Sequence, residues 1–426
     1  MKARNRIKLQ AFTTAMLAAC LCITSVPAAF AQGDLTGGVG QFAIQPKKEK
    51  TVAQAKRKPP AVKSGPKASA NDHLLAAAGK GDAAATANSL KQGADANAKS
   101  TEGCAALVYA AADKTGEAAR SLLAKGADAN ARCDDGVTAL MVAAETGNTE
   151  IAQALIERDA NVNAKTADGR TAIIFAASSG QPAIVQALLA KGADAGALYK
   201  DGRTPLFFAA ANGNAAVAQE LLAKGADAKA RTDDGWTPLH WASWFGHAEV
   251  AKLLLDKGAD VDARDKDNDT PLMKAATQGQ LPVVQLLLAR KAEADARGSG
   301  GGTALLFAAS RPSGFEIIEA LIAKGANVNA RNEAGLAPVI LAAAYGRIPT
   351  LDVLFEHKAD VNARTPKGYT ALIAASNKGL AGTVKLLIER GADVNAKYED
   401  GRTALSFAQE NGQTQIVEIL KSAGAK

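Results

Sequence analysis

Among its 426 residues the chain has four histidines, four cysteines and only 4% aromatic residues. So few imidazoles leave little for proton transfer, and no His/Cys spacing suggests a metal cage. No Gly-x-Ser-x-Gly stands between a strand and a helix, which removes the usual nucleophile elbow. The stretch Gly298-Ser299-Gly300-Gly301-Gly302-Thr303 has the glycines of a phosphate loop but lacks the Gly-Lys-Ser/Thr ending, so it reads as a flexible turn. Asp265-Lys266-Asp267-Asn268-Asp269 begins like a calcium loop, yet Thr270 and Ala276 stand where Gly and Glu are required. It reads as a solvated hairpin tip. The residues therefore point to no metal, no cofactor and no enzyme. An active site built onto the scaffold would need titratable groups gathered in a cleft, and the acids here fall at turns.

What the chain has in abundance is one repeated phrase. Versions of Gly-Ala-Asp-x-Asn-Ala recur from Gly93 through Gly126, Asp159, Gly192 and Gly225 to Gly424, at a period of 33 residues with a single inserted residue near Arg311-Pro312. Units of this length cannot bury an apolar face alone and must stack. Within one unit, Asp234-Gly235 makes a tight turn, Thr237 caps the next helix and Pro238 sits at its first position. Leu239, Ala242 and Ser243 face inward. After Gly246-His247, a second helix runs through Val250, Leu253, Leu254 and Leu255, and Gly258 ends it in the left-handed conformation.

These residues carry a resemblance. Thr237-Pro238-Leu239-His240-Trp241-Ala242 fits the T-P-L-H-x-A signature of ankyrin repeats in full, and Thr204-Pro205-Leu206 and Thr270-Pro271-Leu272 fit its first half. Other units write Thr-Ala-Leu or Thr-Ala-Ile, while Cys104-Ala105-Ala106-Leu107 and Leu336-Ala337-Pro338-Val339 lose the threonine. The chain resembles an ankyrin-repeat protein. The resemblance implies an all-α repeat solenoid of helix-turn-helix units joined by short β-hairpin loops. It covers residues 71–426, with an N-terminal cap at 71–99, internal repeats at 100–398 and a C-terminal cap at 399–426. The glycine-rich hairpin and the insertion beside it make 298–314 the expected weak point of the stack.

Two other segments precede the array. Lys2, Arg4, Arg6 and Lys8 lead into a mostly apolar run ending at Ala29-Phe30-Ala31, the pattern of a secretory signal peptide over residues 1–31. Within it, Leu17-Ala18-Ala19-Cys20 resembles a bacterial lipoprotein box, in which Cys20 would be acylated and would tether the protein to a membrane. Residues 32–70 are rich in Pro and Lys and carry too little apolar surface to fold, so they are expected to be a disordered basic linker. Leader and linker carry +4 and +6 of a net +7, which leaves the array at −3. The basic pI is then no argument for nucleic acid, since the array lacks a basic stripe. The linker is a spacer, or it lies along an anionic envelope surface. With this layout the chain is similar to exported, periplasmic-type ankyrin proteins of bacteria, and it is expected in the periplasm, or outside a cell without an outer membrane.

Once the leader is removed, Cys104 and Cys133 remain, both in hairpin regions. They are either a disulfide or free semi-buried thiols. His240 and His247 occupy positions that in ankyrin repeats stabilise turns between units, which implies a structural role.

The resemblance also indicates the partner-facing surface. Hairpin residues and those before the inter-helix glycine line the concave groove, which here gives Asp233, Asp234, Trp236, Trp244 and Phe245, extended by Arg170, Arg203, Asp269, Tyr345 and Tyr369. Trp241 shares its register with Phe175, Phe208, Phe307 and Phe407 and is expected in the core. Trp236 and Trp244 have no such precedent and are expected as contact residues. The implied function is a non-catalytic protein-binding scaffold of the cell envelope acting as a monomer. An effector secreted to act on host proteins is the alternative.

Overall fold

The computed structural model describes residues 69–426. The expected leader with Cys20 and nearly all of the linker lie outside the described residues. The folded part begins slightly earlier than expected. Ser69, assigned to the linker from sequence, caps the first helix, Ala70–Lys80, by accepting from the Asp72 amide while Asp72 bonds back.

From there the chain makes twenty-two α-helices in eleven consecutive pairs, and no strand occurs among the described residues. Each inner helix packs on the inner helix of the next unit, and most outer helices on the next outer helix. The connecting hairpins are too short for a ladder and show only isolated antiparallel bridges, such as Arg132 with Thr138 and Arg364 with Thr370.

The reasons are local. Thr138, Thr237, Thr270, Thr303, Thr370 and Thr403 each accept from the amide three residues on, whether Pro or Ala follows. Inner helices are short and alanine-rich, and Ala209, Ala210, Ala242, Ala275 and Ala276 are fully buried, which lets backbones approach closely. Outer helices such as Ala248–Asp256 bury one apolar stripe, Val250, Ala251 and Leu254. Where the repeat's closing glycine is replaced, by Asp159, Lys291 and Lys358, the backbone still turns left-handed, with φ of 58°, 66° and 64°.

Two ladders run along the stack. In the first, the Asn of Gly-Ala-Asp-x-Asn-Ala accepts from a backbone amide of the next unit: Asn97 from Asp128 at 2.8 Å, Asn130 from Asn161 at 2.7 Å, and Asn362 from Asp393 at 2.8 Å. It breaks where the sequence places Gly196 and Lys229. In the second, Arg231, Arg264, Arg297 and Arg331 donate to the carbonyl of the equivalent arginine one unit on, at 2.6–3.0 Å. A column of cations does therefore run along the array, contrary to the expectation of none. Each of these guanidinium groups donates to a neighbouring unit's backbone.

At the inserted residue the inner helix shortens to Ala304–Ala309 and the outer helix starts at Gly314. A Cβ on Gly314 would lie 2.0 Å from the Ala308 carbonyl oxygen, so the insertion is absorbed only because that position is glycine. The glycine-rich hairpin also has a packing reason. A Cβ at Gly298 would meet Asp269 Oδ1 at 2.1 Å, and one at Gly302 would meet the Phe307 ring at 2.9 Å.

Candidate interaction site

The residues at the base of successive hairpins form a continuous column. The residue closing one hairpin meets the residue opening the next, 29 positions on. Arg170 lies 6.0 Å from the Tyr199 ring, and Tyr369 crosses Tyr398 edge-on at 6.0 Å. Cys104 and Cys133 fill the same pair of positions and are joined as a disulfide, with Cα atoms 3.8 Å apart. Of the two states left open by the sequence, the structure has the bridge.

The middle of the column, residues 232–264 and their neighbours, is where the structure corrects the sequence reading. Trp236 and Trp244 are 9% and 6% exposed and belong to the core. Trp241, expected to be core, is half-buried, as are Phe245 and Phe208. Trp236 is the hub: its ring lies 6.1 Å from Trp241, 5.7 Å from Trp244 and 5.9 Å from His240. The ammonium of Lys274 sits 4.8 Å from its centroid. A large ring ringed by others is already anchored, which is the reason it cannot also face a partner.

Lys274 was not singled out from sequence, although it stands in the register of Phe208 and Trp241. Its side chain is 3% exposed and reaches Asp269 Oδ2 at 2.8 Å and Asp265 Oδ2 at 2.7 Å. The contact with Asp269 is an aligned hydrogen bond, while that with Asp265 is ionic only. Asp265 Oδ1 in turn accepts from the amides of Asp267 and Asp269. The segment expected as a solvated hairpin tip thus has both flanking aspartates buried, and Asp269 is not a groove residue. Burial pushes the Asp269 carboxyl above its ordinary range, against the pull of Lys274.

His240 completes the cluster. Its Nδ1 accepts from the Thr237 amide at 3.1 Å, so the proton is on Nε2, which faces the Asp269 carbonyl at 3.0 Å. Burial pushes this imidazole down to about 4. His247 Nε2 bridges to the Ala211 carbonyl of the preceding unit at 3.1 Å. Both histidines tie neighbouring units together, as the resemblance implied.

The remaining expected contact residues divide by exposure. Asp233, Asp234 and Tyr345 are exposed, and Arg170 is half-buried with its guanidinium 4.9 Å from the Phe175 ring. Arg203 and Tyr369 are buried. Arg203 lies among three rings, 5.1 Å from Tyr199, 5.5 Å from Phe208 and 5.9 Å from Trp241, and holds Asp201 at 3.3 Å. What the concave face offers is therefore a braced platform of Phe208, Trp241 and Phe245, bordered by Asp201, Asp233 and Asp234. Trp241 Nε1 has no acceptor within the array. No group of three or more His, Cys, Asp or Glu side chains is placed to hold a metal among the described residues. No helix among them is long and apolar enough to cross a membrane.

The family model described as ankyrin repeats (3 copies) matches residues 74–166, 115–197, 173–265, 258–332 and 339–426. Among solved structures, the human ASB11 ankyrin repeat domain is 30% identical, with 52% of this chain and 98% of that one covered and a TM-score of 0.48. A search of curated protein sequences finds no match. With family matches running from residue 74 to the last residue, this chain belongs to the ankyrin-repeat family.

Proposed function

We propose that the array is a non-catalytic protein-binding scaffold whose concave face, centred on residues 232–264, docks a partner protein. The observation that carries this reading is the half-exposed platform of Phe208, Trp241 and Phe245 braced from below by Phe207, Trp236 and Arg203. Rigid rings bury much area on binding at little entropic cost, and a bordering row of carboxylates gives the apolar centre a polar rim. The titratable groups with the strongest environments, His240 and Asp269, lie beneath the surface; His240 bonds to the Asp269 carbonyl of the next unit and the Asp269 carboxylate to Lys274 of its own, an arrangement that serves stacking. Location in the cell envelope rests on the leader at 1–31 and on the resemblance to exported bacterial ankyrin proteins.

Crosslinking capture from an envelope extract of the producing cell tests the reading, with the wild-type chain beside Trp241→Ala/Phe245→Ala. Capture of one protein by the wild type and its loss in the variant, at an unchanged unfolding midpoint, is expected. Equal capture by both would move the docking site elsewhere.

A further inference from the structure

Two of the largest exposed apolar side chains in the described structure stand three residues apart, far from the 232–264 platform. Tyr345 is 49% exposed and Ile348 is 39% exposed, on the loop joining the inner helix Pro338–Ala344 to the outer helix Ile348–Glu356. The half-buried Phe315 precedes Ile348 by one repeat, and Leu380 follows on the corresponding loop of the next unit. Leu380 Cδ atoms lie 3.4 Å from where a Gly346 Cβ would be, and Ile348 Cδ1 lies 3.5 Å from where a Gly382 Cβ would be. Leu380 thus packs beside Gly346, and Ile348 beside Gly382 of the next unit.

Leu380 also departs from a recurring pattern of the stack. At its register several units place a polar side chain that bonds back to the preceding unit: Asn214 to the Ala177 carbonyl at 2.9 Å, Gln280 to Trp244 at 3.3 Å, Arg347 to Ser310 at 3.0 Å. Leucine cannot make that bond. An apolar group has replaced a stack-holding one on the edge where Tyr345 and Ile348 are already exposed.

The rim of this patch is mainly basic, although the exposed Glu316 follows Phe315. Arg347 lies 5.9 Å from the Tyr345 ring, and Lys378 and Arg311 stand on the adjoining loops.

We propose that Tyr345, Ile348 and Leu380 form a second docking patch, independent of residues 232–264, for an acidic partner segment that presents an apolar side chain between carboxylates. The apolar centre supplies the anchor, and Arg347 and Lys378 select the charge. The chain's own basic N-terminal segment has the wrong sign for this surface.

The test is to pan the full chain against a random peptide library, then measure one enriched, labelled peptide by fluorescence anisotropy. Enriched peptides are expected to combine Leu, Ile or Phe with Asp or Glu. Tyr345→Ser/Ile348→Ser should weaken binding about tenfold or more. Lys378→Glu, at an exposed site, should weaken it several-fold and reduce its salt dependence, while Trp241→Ala leaves it unchanged. If the double variant unfolds, Lys378→Glu alone decides. Enrichment of basic or uncharged peptides, equal binding by both variants, or no enrichment above background would overturn the proposal. So would a self-association, seen by sedimentation, that the Tyr345 change abolishes, since the patch would then belong to a second copy.

Discussion

Lys274 Nζ lies 2.7 Å from Asp265 Oδ2 with almost no solvent at either end, one cation held between two aspartates and the face of Trp236. The charges are out of water, so each depends on the others. Lys274→Met leaves two buried carboxylates without a counter-charge and should cost about 3–5 kcal/mol in urea unfolding. Adding Asp265→Asn and Asp269→Asn to that variant should restore most of the loss. A Lys274→Met array as stable as wild type would show that the cluster is solvated.

His240 gives the joint between residues 232–264 and 265–297 a pH dependence. Its imidazole is held neutral down to about 4, while in the unfolded chain it takes a proton near its ordinary value of 6.5. Between those values the unfolded state binds more protons, so stability present above about pH 6.5 is lost as the pH falls towards 4. The full effect is up to about 3 kcal/mol. The groups facing the ring include Asp265, Lys274 and Arg231. Asp269, with its raised carboxyl, works with the opposite sign at the acid end, so the slope is cleanest in the upper part of the window. Unfolding midpoints against pH for wild type and His240→Gln check this, and parallel curves would remove His240 as the source.

These two cases show what was legible in the sequence and what was not. The stack, its caps and the tying role of His240 and His247 follow from short-range patterns that each unit repeats: a threonine before the inner helix, a glycine after the outer one, alanines between. The contact surface depends on which of several adjacent rings turns inward, and that is settled between units. Trp241 shares a register with buried Phe175, Phe307 and Phe407, yet the next unit offers Lys274 there, drawn away to Asp265 and Asp269. Trp236 lacks a precedent in its register because it fills the space above that ion cluster. A cation in an otherwise apolar register, five residues after an aspartate, was the available signal.

The Cys104–Cys133 bridge ties the first hairpin to the second. Closing a loop of this length should contribute about 3–4 kcal/mol through the unfolded state. In a linear stack the effect is local. Reduction, or Cys104→Ser/Cys133→Ser, should speed hydrogen exchange in the first helix pairs, Ala70–Lys80 through Glu117–Ala124, and leave Leu281–Ala289 and later helices unchanged. Exchange insensitive to reductant would mean that the bridge adds nothing to this end of the array.

The break in the asparagine ladder makes the most local prediction. Asn163 and Asp262 accept from the amides of Asp194 and Glu293, each at 3.0 Å, but Lys229 between them has no acceptor to offer the Asp260 amide. A cavity of about 400 Å³ opens there, lined by Ala228, Lys229, Arg231, Thr237, Asp260 and Ala263. Arg231 still spans this joint to the Arg264 carbonyl at 2.7 Å, so the units remain linked by one ladder of the two. Lys229→Asn should therefore restore a rung without disturbing the other, raising stability by about 0.5–1.5 kcal/mol. The specific readout is slower exchange of the Asp260 amide, because a general surface-charge effect of removing the lysine would leave that amide as it was. Lys229→Ala separates the two, since it removes the charge without supplying an acceptor, and equal stabilisation by Ala and Asn would mean that the missing rung costs the stack nothing.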